Sequence, residues 1–176
     1  QMKTLYKKCI PTMFFVLLIA LMVGSNYLYD IMTVNQLYWL LYPSGCLFSL
    51  LSGFKIQWVS NEGYQVMNHQ ILIEKSCAGF KYFSIMLIVS LLLLYLGKMK
   101  LKAHVYKTAT VPVLIYLYVV MINAFRLITS VGIKNSTYSL AWFPNNLAHE
   151  LIGVLYYLLG LFTVYFFLKS YFSLKF

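Results

Sequence analysis

Three residues of this sequence, widely separated along the chain, have the side-chain types of a thiol active site. Cys77 can supply a nucleophilic thiolate, His149 can accept and return its proton, and Arg126 can donate hydrogen bonds to a developing oxyanion. Together these groups would catalyse acyl transfer through a thioester. The interpretation requires the three side chains to converge at one depth and on one side of the folded chain.

Arg126 is unusual because it is the only arginine beside thirteen lysines and because it lies inside an apolar segment. A charge in such a segment is costly, and it usually faces a cavity and serves a function. Asn123 would share the helix face of Arg126, and could orient the guanidinium or donate to a substrate. We expect substrate binding or support from five residues: Asn123, Glu74, Ser76, Gly79 and Glu150.

Each candidate residue also has a purely structural interpretation. A membrane cysteine is commonly a small apolar residue, which is what we expect of Cys9 and Cys46. Arg126 could reach outward to lipid headgroups, and His149 could be an interfacial hydrogen-bonding residue. No metal and no cofactor is predicted, because metal-ligand spacing is lacking among the residues available for a zinc site: Cys77, His149, His69 and Glu150.

The composition indicates a membrane protein of one domain, residues 1–176. Hydrophobic residues make up 61% of the chain and charged residues only 10%, against about 25% charged residues in soluble domains. The net charge of +10 fits the excess of lysine in cytoplasmic loops. Nucleic acid is not an expected partner, because no basic stripe carries interleaved aromatic residues.

Apolar runs near 20 residues long can cross the roughly 30 Å of membrane hydrocarbon. No cleavable signal peptide is predicted, because small-residue cleavage signals do not follow the first run. The fold class that we predict is an all-α polytopic membrane protein with about four spanning helices. The predicted spans are 11–29, 78–97, 108–133 and 147–168.

Two segments between the first and second spans are not predicted to cross the membrane. Residues 37–53 are apolar but contain Pro43, serines and a glycine, so they should form a poor continuous helix. We predict that this segment is a re-entrant or interfacial helix. Residues 54–75 alternate in polarity and turn at 61–63, which predicts a small extracytoplasmic β-hairpin lying on the membrane surface.

The lysines predict the orientation of the chain. Nine of the thirteen lie before the first span, between 98 and 107, or after the last span, and the positive-inside bias puts these segments in the cytoplasm. The start of 78–97, the end of 108–133 and the start of 147–168 then meet outside. An alternative keeps five spans and places the basic N-terminal residues outside, and it leaves the three candidate residues on one face.

Three short motifs, in this order and separated by helices, resemble the exosortase/archaeosortase family of membrane transpeptidases. The resemblance covers about residues 53–166 and is greatest with the small exosortase K-type members. Ala78 and Gly79 stand where the family usually has Ser-Gly. The motifs are Ser76-Cys77-Ala78-Gly79-Phe80, Asn123-Ala124-Phe125-Arg126 and His149-Glu150-Leu151-Ile152-Gly153.

The resemblance implies a cysteine transpeptidase or peptidase of the bacterial cytoplasmic membrane, with its site on the extracytoplasmic side. Its substrates would be secreted proteins with a C-terminal sorting signal, which consists of a motif, a membrane helix and a basic tail. Cys77 would form the thioester, Arg126 would bind the oxyanion or substrate, and His149 would be the acid and base. Other implied partners are membrane lipid and a lipid or glycan acceptor.

Two other hypotheses remain from the residues alone. The chain could be a non-catalytic helper subunit or a small transporter, in which Arg126 anchors a substrate or lipid and Cys77 is dispensable. It could also transfer an acyl group onto a lipid with the same cysteine and histidine. A membrane-impermeant thiol reagent tests the first hypothesis, because only a catalytic Cys77 must react from outside faster than Cys9 or Cys46.

Overall fold

The computed structural model describes residues 2–67, 71–96, 105–135 and 145–171, with side chains for 13–67, 71–96, 109–133 and 150–171. The second and third helices are preceded by short 3-10 turns, Asn35–Leu37 and Lys75–Cys77. The helices and strands of the described residues are α1 (Met2–Ile31), α2 (Tyr38–Ser52), β1 (Ile56–Val59), β2 (Gly63–Val66), β3 (Ile71–Ile73), α3 (Phe80–Leu96), α4 (Val105–Asn135) and α5 (Asn145–Tyr171).

Four of the described helices are long and apolar enough to cross a membrane. This confirms the predicted fold class of a polytopic helical protein with four spanning helices. Large apolar side chains such as Val16, Leu159 and Phe162 are exposed along these helices, because lipid tails solvate them as well as a protein core would. The spanning windows, which overlap the four predicted spans, are Met13–Ile31, Lys75–Leu96, Ala109–Ile133 and Glu150–Tyr171.

Helix α2 is continuous although Pro43 lies inside it, and the expectation of a poor helix over 37–53 was wrong. Proline has no N–H, so the carbonyl of Trp39, four residues earlier, loses its helical partner. Tyr116 of α4 donates its hydroxyl to that carbonyl at 2.8 Å. The 15 residues of α2 span roughly 22 Å at 1.5 Å per residue, less than the membrane core. Its re-entrant or interfacial placement stays a prediction.

The predicted hairpin is present as β1 and β2, and β3 extends it to a three-stranded antiparallel sheet. Trp58 pairs with Tyr64, which also pairs with Ile73 on the third strand. Position 63 requires glycine, because its φ is 121° and a Cβ there would overlap the Ile73 carbonyl oxygen. Burial above all raises the pKa of the Tyr64 phenol. Tyr38 of α2 packs edge-on against Trp58 of β1, with ring centroids 5.0 Å apart. The sheet is thereby fixed to α2.

The sheet and α2 fix the segment that contains Cys77. Strand β3 leads directly into the turn Lys75–Cys77 and then into α3. A buried core joins these elements to α4, so the start of α3 is held from several sides. Its members are Leu37, Leu40, Leu41, Phe48, Tyr64, Val66, Ile73, Cys77, Ala78, Phe80, Val120, Leu127 and Val131.

Helices α3 and α5 are in close contact through two tyrosines and a glycine. The ring of Tyr82, which is 2% exposed, stacks on Tyr157 with centroids 4.1 Å apart and planes 12° apart. Its hydroxyl lies against Gly160, where an added Cβ would overlap the oxygen. The missing side chain at Gly160 therefore allows the two tyrosine rings to stack between the helices.

Gly160→Ala is expected to lower the free energy of unfolding by about 1–3 kcal/mol, because overpacking a buried contact forces neighbours to move. The measurement is the unfolding of purified protein in detergent micelles. Gly24→Ala is the matched control, because a Cβ at Gly24 in α1 meets nothing within 4 Å. The control should be neutral or slightly stabilising, since alanine favours helix. Equal effects of both substitutions would contradict the stacking role of Gly160.

Candidate active site

Cys77 is the last residue of the 3-10 turn before α3 and is 8% exposed. Its backbone N–H donates to the Glu74 carbonyl at 2.9 Å, which closes the turn. Two of the supporting residues predicted from the sequence lie beside it. The Ser76 hydroxyl is 3.7 Å from the Cys77 sulfur and donates to Glu74 Oε1 at 3.2 Å. Ser76 and Glu74 are exposed, so they form a polar rim around a buried thiol.

The end of α1 braces this turn. Tyr29 donates its hydroxyl to the Lys75 carbonyl at 3.3 Å, and Lys75 Nζ donates to the Asp30 carbonyl at 3.1 Å. The ammonium groups of Lys75 and Lys81 lie 4.7 and 4.6 Å from the centroid of the Tyr29 ring, within cation–π range. The thiol therefore lies in a turn that is held by aromatic and cationic side chains from two helices.

Asn123 of α4 holds Cys77 directly. It is fully buried, and its Nδ2 donates to the Cys77 carbonyl at 2.8 Å. Gly79 makes room for this contact, because a Cβ there would lie 3.3 Å from Asn123 Cγ and 3.4 Å from Oδ1. The φ of Gly79 is 74°, a left-handed conformation in which glycine is favoured. Asn123 and Gly79, both predicted to be supporting residues, thus form the contact between α4 and the cysteine turn.

Arg126 lies one turn beyond Asn123 on α4 and is 6% exposed. Its Nη1 donates to the Tyr157 hydroxyl at 2.6 Å, and the guanidinium carbon is 5.4 Å from the centroid of that ring. An added Cβ at Gly153 of α5 would lie 3.9 Å from both Cδ and Nη1 of Arg126. The side chain therefore lies between α4 and α5 and does not extend toward lipid headgroups.

Asn123 connects the cysteine with the arginine. It bonds to the Cys77 carbonyl at 2.8 Å and precedes Arg126 by three residues, on one face of α4. Cys77 and Arg126 are both buried. The cysteine turn and the arginine therefore lie on either side of one buried amide, and the convergence of their side chains with His149 stays a prediction.

His149 lies near the start of α5, and its side chain is outside the described part of the structure. Its position in the helix is one turn before Gly153 and two turns before Tyr157, the two α5 residues that contact Arg126. Residues spaced by four lie close together on one helix face. Position 149 is therefore on the side of α5 that faces α4, and the neighbouring Glu150 is exposed.

The described side chains contain no group of three or more histidine, cysteine, aspartate or glutamate residues that could hold a metal ion. His69, one member of the zinc site considered from the sequence, lies outside the described residues, as does the side chain of Cys9. Cys46 lies exposed on α2. The chemistry available here is that of a buried thiol next to the Ser76 hydroxyl, and of a buried guanidinium bonded to the Tyr157 hydroxyl.

Tyr157 and Tyr29 were not identified from the sequence. The chain has sixteen tyrosines, so neither composition nor a motif distinguishes these two. A weak signal exists for Tyr157, because it lies two helical turns after His149 in an apolar run and shares its helix face. Tyr29 lies in α1, far along the chain from Cys77, and only the packing of α1 against α3 brings it to the site.

A comparison with protein families gives a single decisive finding. The model of the transmembrane exosortase family (Exosortase_EpsH) matches residues 3–166. The chain belongs to the exosortase family. The resemblance noted in the three motifs is therefore confirmed, and the match also covers α1 and α2 of this exosortase. Comparison with curated proteins and with solved structures gave no significant match.

Family membership assigns this exosortase to a class of membrane transpeptidases. Together with the four candidate spans, it makes the chain a multi-pass membrane protein. Cys77, Asn123 and Arg126 lie within the matched range and are buried in the structure.

Proposed function

We propose that this exosortase is a cysteine transpeptidase that cleaves the C-terminal sorting signal of secreted proteins and transfers them to a surface acceptor. The observation that supports this function is the junction of α3, α4 and α5. There Asn123 bonds to the backbone of the buried Cys77, and one turn along α4 the buried Arg126 bonds to Tyr157 of α5. A charge buried between apolar helices is costly, so a catalytic role explains why Arg126 occupies this position.

In the proposed reaction, the Cys77 thiolate attacks the carbonyl carbon of the scissile peptide bond. Arg126 donates hydrogen bonds to the oxyanion, and its bond to Tyr157 holds the guanidinium in place. His149 takes the thiol proton and delivers it to the leaving amine, after which a thioester remains on Cys77. An acceptor nucleophile then attacks the thioester and releases the secreted protein.

The proposed location is the bacterial cytoplasmic membrane with the site on the extracytoplasmic side. Helix α3 begins beside Cys77, and the dense basic segment follows the other end of this helix in the sequence. Lysine-rich loops stay in the cytoplasm. All four acidic residues of the chain, Asp30, Glu62, Glu74 and Glu150, belong to the segments at the Cys77 end. In this placement the sheet lies on the outer membrane surface and α2 is re-entrant or interfacial.

The experiment that tests this function is to trap the thioester. The exosortase is co-expressed with a secreted protein that ends in a motif, an apolar helix and basic residues, such as one encoded nearby. We expect a covalent adduct of the cleaved protein on a Cys77-containing peptide, and neutral hydroxylamine should release it. Cys46→Ala, which removes an exposed thiol, is the control and should form the same adduct. Cleavage with an adduct that maps elsewhere, or a hydroxylamine-resistant adduct, would contradict the proposal.

A further inference from the structure

The amide of Asn123 has a fixed orientation. A carbonyl oxygen can only accept a hydrogen bond, so the bond to the Cys77 carbonyl requires that Nδ2 face Cys77 and that Oδ1 face away. Oδ1 is buried, and no described residue bonds to it. A buried acceptor without a partner is costly. Asn123 therefore offers a substrate an acceptor, whereas the sequence had suggested a donor.

Arg126 has buried donors without a described partner, where Asn123 has a buried acceptor without one. One terminal nitrogen, Nη1, is engaged by Tyr157. The Nε and Nη2 nitrogens are buried and have no hydrogen-bond partner among the described side chains and backbone. Asn123 and Arg126 are three residues apart, on one face of α4. Among the described residues, this face therefore presents one unpaired acceptor next to unpaired donors, on the side of α4 that holds the cysteine turn.

We infer that Asn123 Oδ1 and the Arg126 guanidinium form a subsite for the main chain of the substrate residue whose carbonyl is attacked. Arg126 donates to the carbonyl oxygen of this residue, and Asn123 accepts its N–H. In an extended chain, the N–H and C=O of one residue point to the same side, which matches an acceptor and a donor on one helix face. The inference rests on the proposed function, since it presumes that Cys77 attacks a peptide carbonyl.

The subsite has a consequence for specificity. It binds the backbone N–H and C=O, and every residue except proline has both groups. The subsite therefore selects an extended main chain and not a particular side chain. Proline at this substrate position would lack the N–H that Asn123 accepts. We expect the selective contacts for the sorting motif to lie elsewhere on the molecule.

A pair of small electrophiles tests the subsite without the natural substrate. N-acetylglycine chloromethyl ketone carries the N–H and C=O of one residue, and its ester analogue replaces that N–H by oxygen. In both, the thiolate displaces chloride, a C–S bond replaces the C–Cl bond, and the thiol proton passes to a base. The alkylation rates of Cys77 and Cys46 are measured in the same purified protein by mass spectrometry. Exposed Cys46 reports the intrinsic ratio of the two reagents.

The amide-to-ester rate ratio at Cys77 is expected to exceed that at Cys46 by about two- to tenfold, the effect of one hydrogen bond. Asn123→Leu should lower the Cys77 ratio to that of Cys46. Since both reagents meet the same thiol, a change in its orientation alters both rates alike and leaves the ratio unchanged. Asn123→Asp keeps the acceptor and should keep the ratio, although it loses the Nδ2 bond to Cys77.

Ser130→Ala is the matched control, because the Ser130 hydroxyl is another buried oxygen on α4 without a described partner. It should not change the ratio. Equal ratios at Cys77 and Cys46 in the wild-type protein would overturn the subsite, even if no Asn123 variant folds. A high ratio that survives in Asn123→Leu, or that falls in Ser130→Ala, would also overturn it.

Failure of the subsite can be distinguished from failure of the proposed function. The reagent ratio needs no sorting signal and no turnover, whereas the thioester adduct requires both. A high ratio that depends on Asn123, without any acyl adduct on Cys77, would contradict the proposed function only. An adduct on Cys77 together with equal reagent ratios would leave the transpeptidase and overturn the main-chain subsite.

Discussion

Cys77→Ala is expected to slow the processing of a co-expressed substrate by at least about 10³-fold, because the variant lacks the thiol that would form the acyl-enzyme. The fold should tolerate the change. Asn123 bonds to the backbone carbonyl of residue 77, which alanine keeps, and the cysteine side chain is small. The measurement is the appearance of cleaved substrate over time, with the amount of exosortase in the membrane determined in parallel.

Cys46→Ala is the control for Cys77→Ala, because Cys46 is exposed on α2, and we expect wild-type processing from it. Unchanged processing by Cys77→Ala protein at normal membrane levels would exclude a reaction through this thiol. That result would favour the helper or transporter hypothesis, in which Cys77 is dispensable and Arg126 is required. A loss of both activities would point to a general effect of removing cysteines.

Arg126→Lys is expected to slow processing by about 10²-fold, the size of effect that follows the loss of a preorganised oxyanion donor. Lysine keeps the positive charge but replaces a planar fork of donors by one ammonium group. In Arg126 the Nη1 nitrogen bonds to Tyr157 while Nε and Nη2 stay available. A single ammonium cannot reproduce both functions in the same geometry. The measurement is the single-turnover rate in proteoliposomes at saturating substrate.

Thr129→Val is the matched control for Arg126→Lys. The Thr129 hydroxyl lies 2.7 Å from that of Tyr156, so it also links α4 to α5 through a tyrosine. It lies one turn beyond the proposed oxyanion donor, and we expect less than about a threefold change on its removal, the effect of one exposed hydrogen bond. Equal losses from both substitutions would mean that Arg126 serves only helix packing. A wild-type rate for Arg126→Lys would mean that charge alone suffices.

The fold was predictable to the extent that it depends on local composition. A membrane span needs only about 20 apolar residues in a row, and four such runs are readable from the sequence. The hairpin was predicted because its alternation and its turn at residues 61–63 are local. A helix was predicted over 37–53, but its continuity was not, because Pro43 is compensated from outside the segment. The carbonyl of Trp39, which Pro43 leaves unbonded, accepts from Tyr116, 77 residues away on α4.

The candidate site was predictable in part for a similar reason. Cys77 and Arg126 were found because a thiol at a helix start and a charge in an apolar run are unusual by themselves. Asn123 was predicted as a supporting residue, but its particular contact was not, since nothing in the sequence shows that its amide bonds to the Cys77 carbonyl. Tyr157 and Tyr29 were missed because aromatic residues are common throughout the chain.

The sequence by itself determined that the chain crosses a membrane in helices, and it predicted that the reactive residues lie near helix ends on one side. Hydrophobic length and lysine placement carry that information, because transfer from water to lipid depends on each segment separately. Only the tertiary structure decided which polar groups pair with each other. Those pairings bring Asn123 to the Cys77 backbone and Tyr157 to Arg126, and they depend on the crossing of α3, α4 and α5.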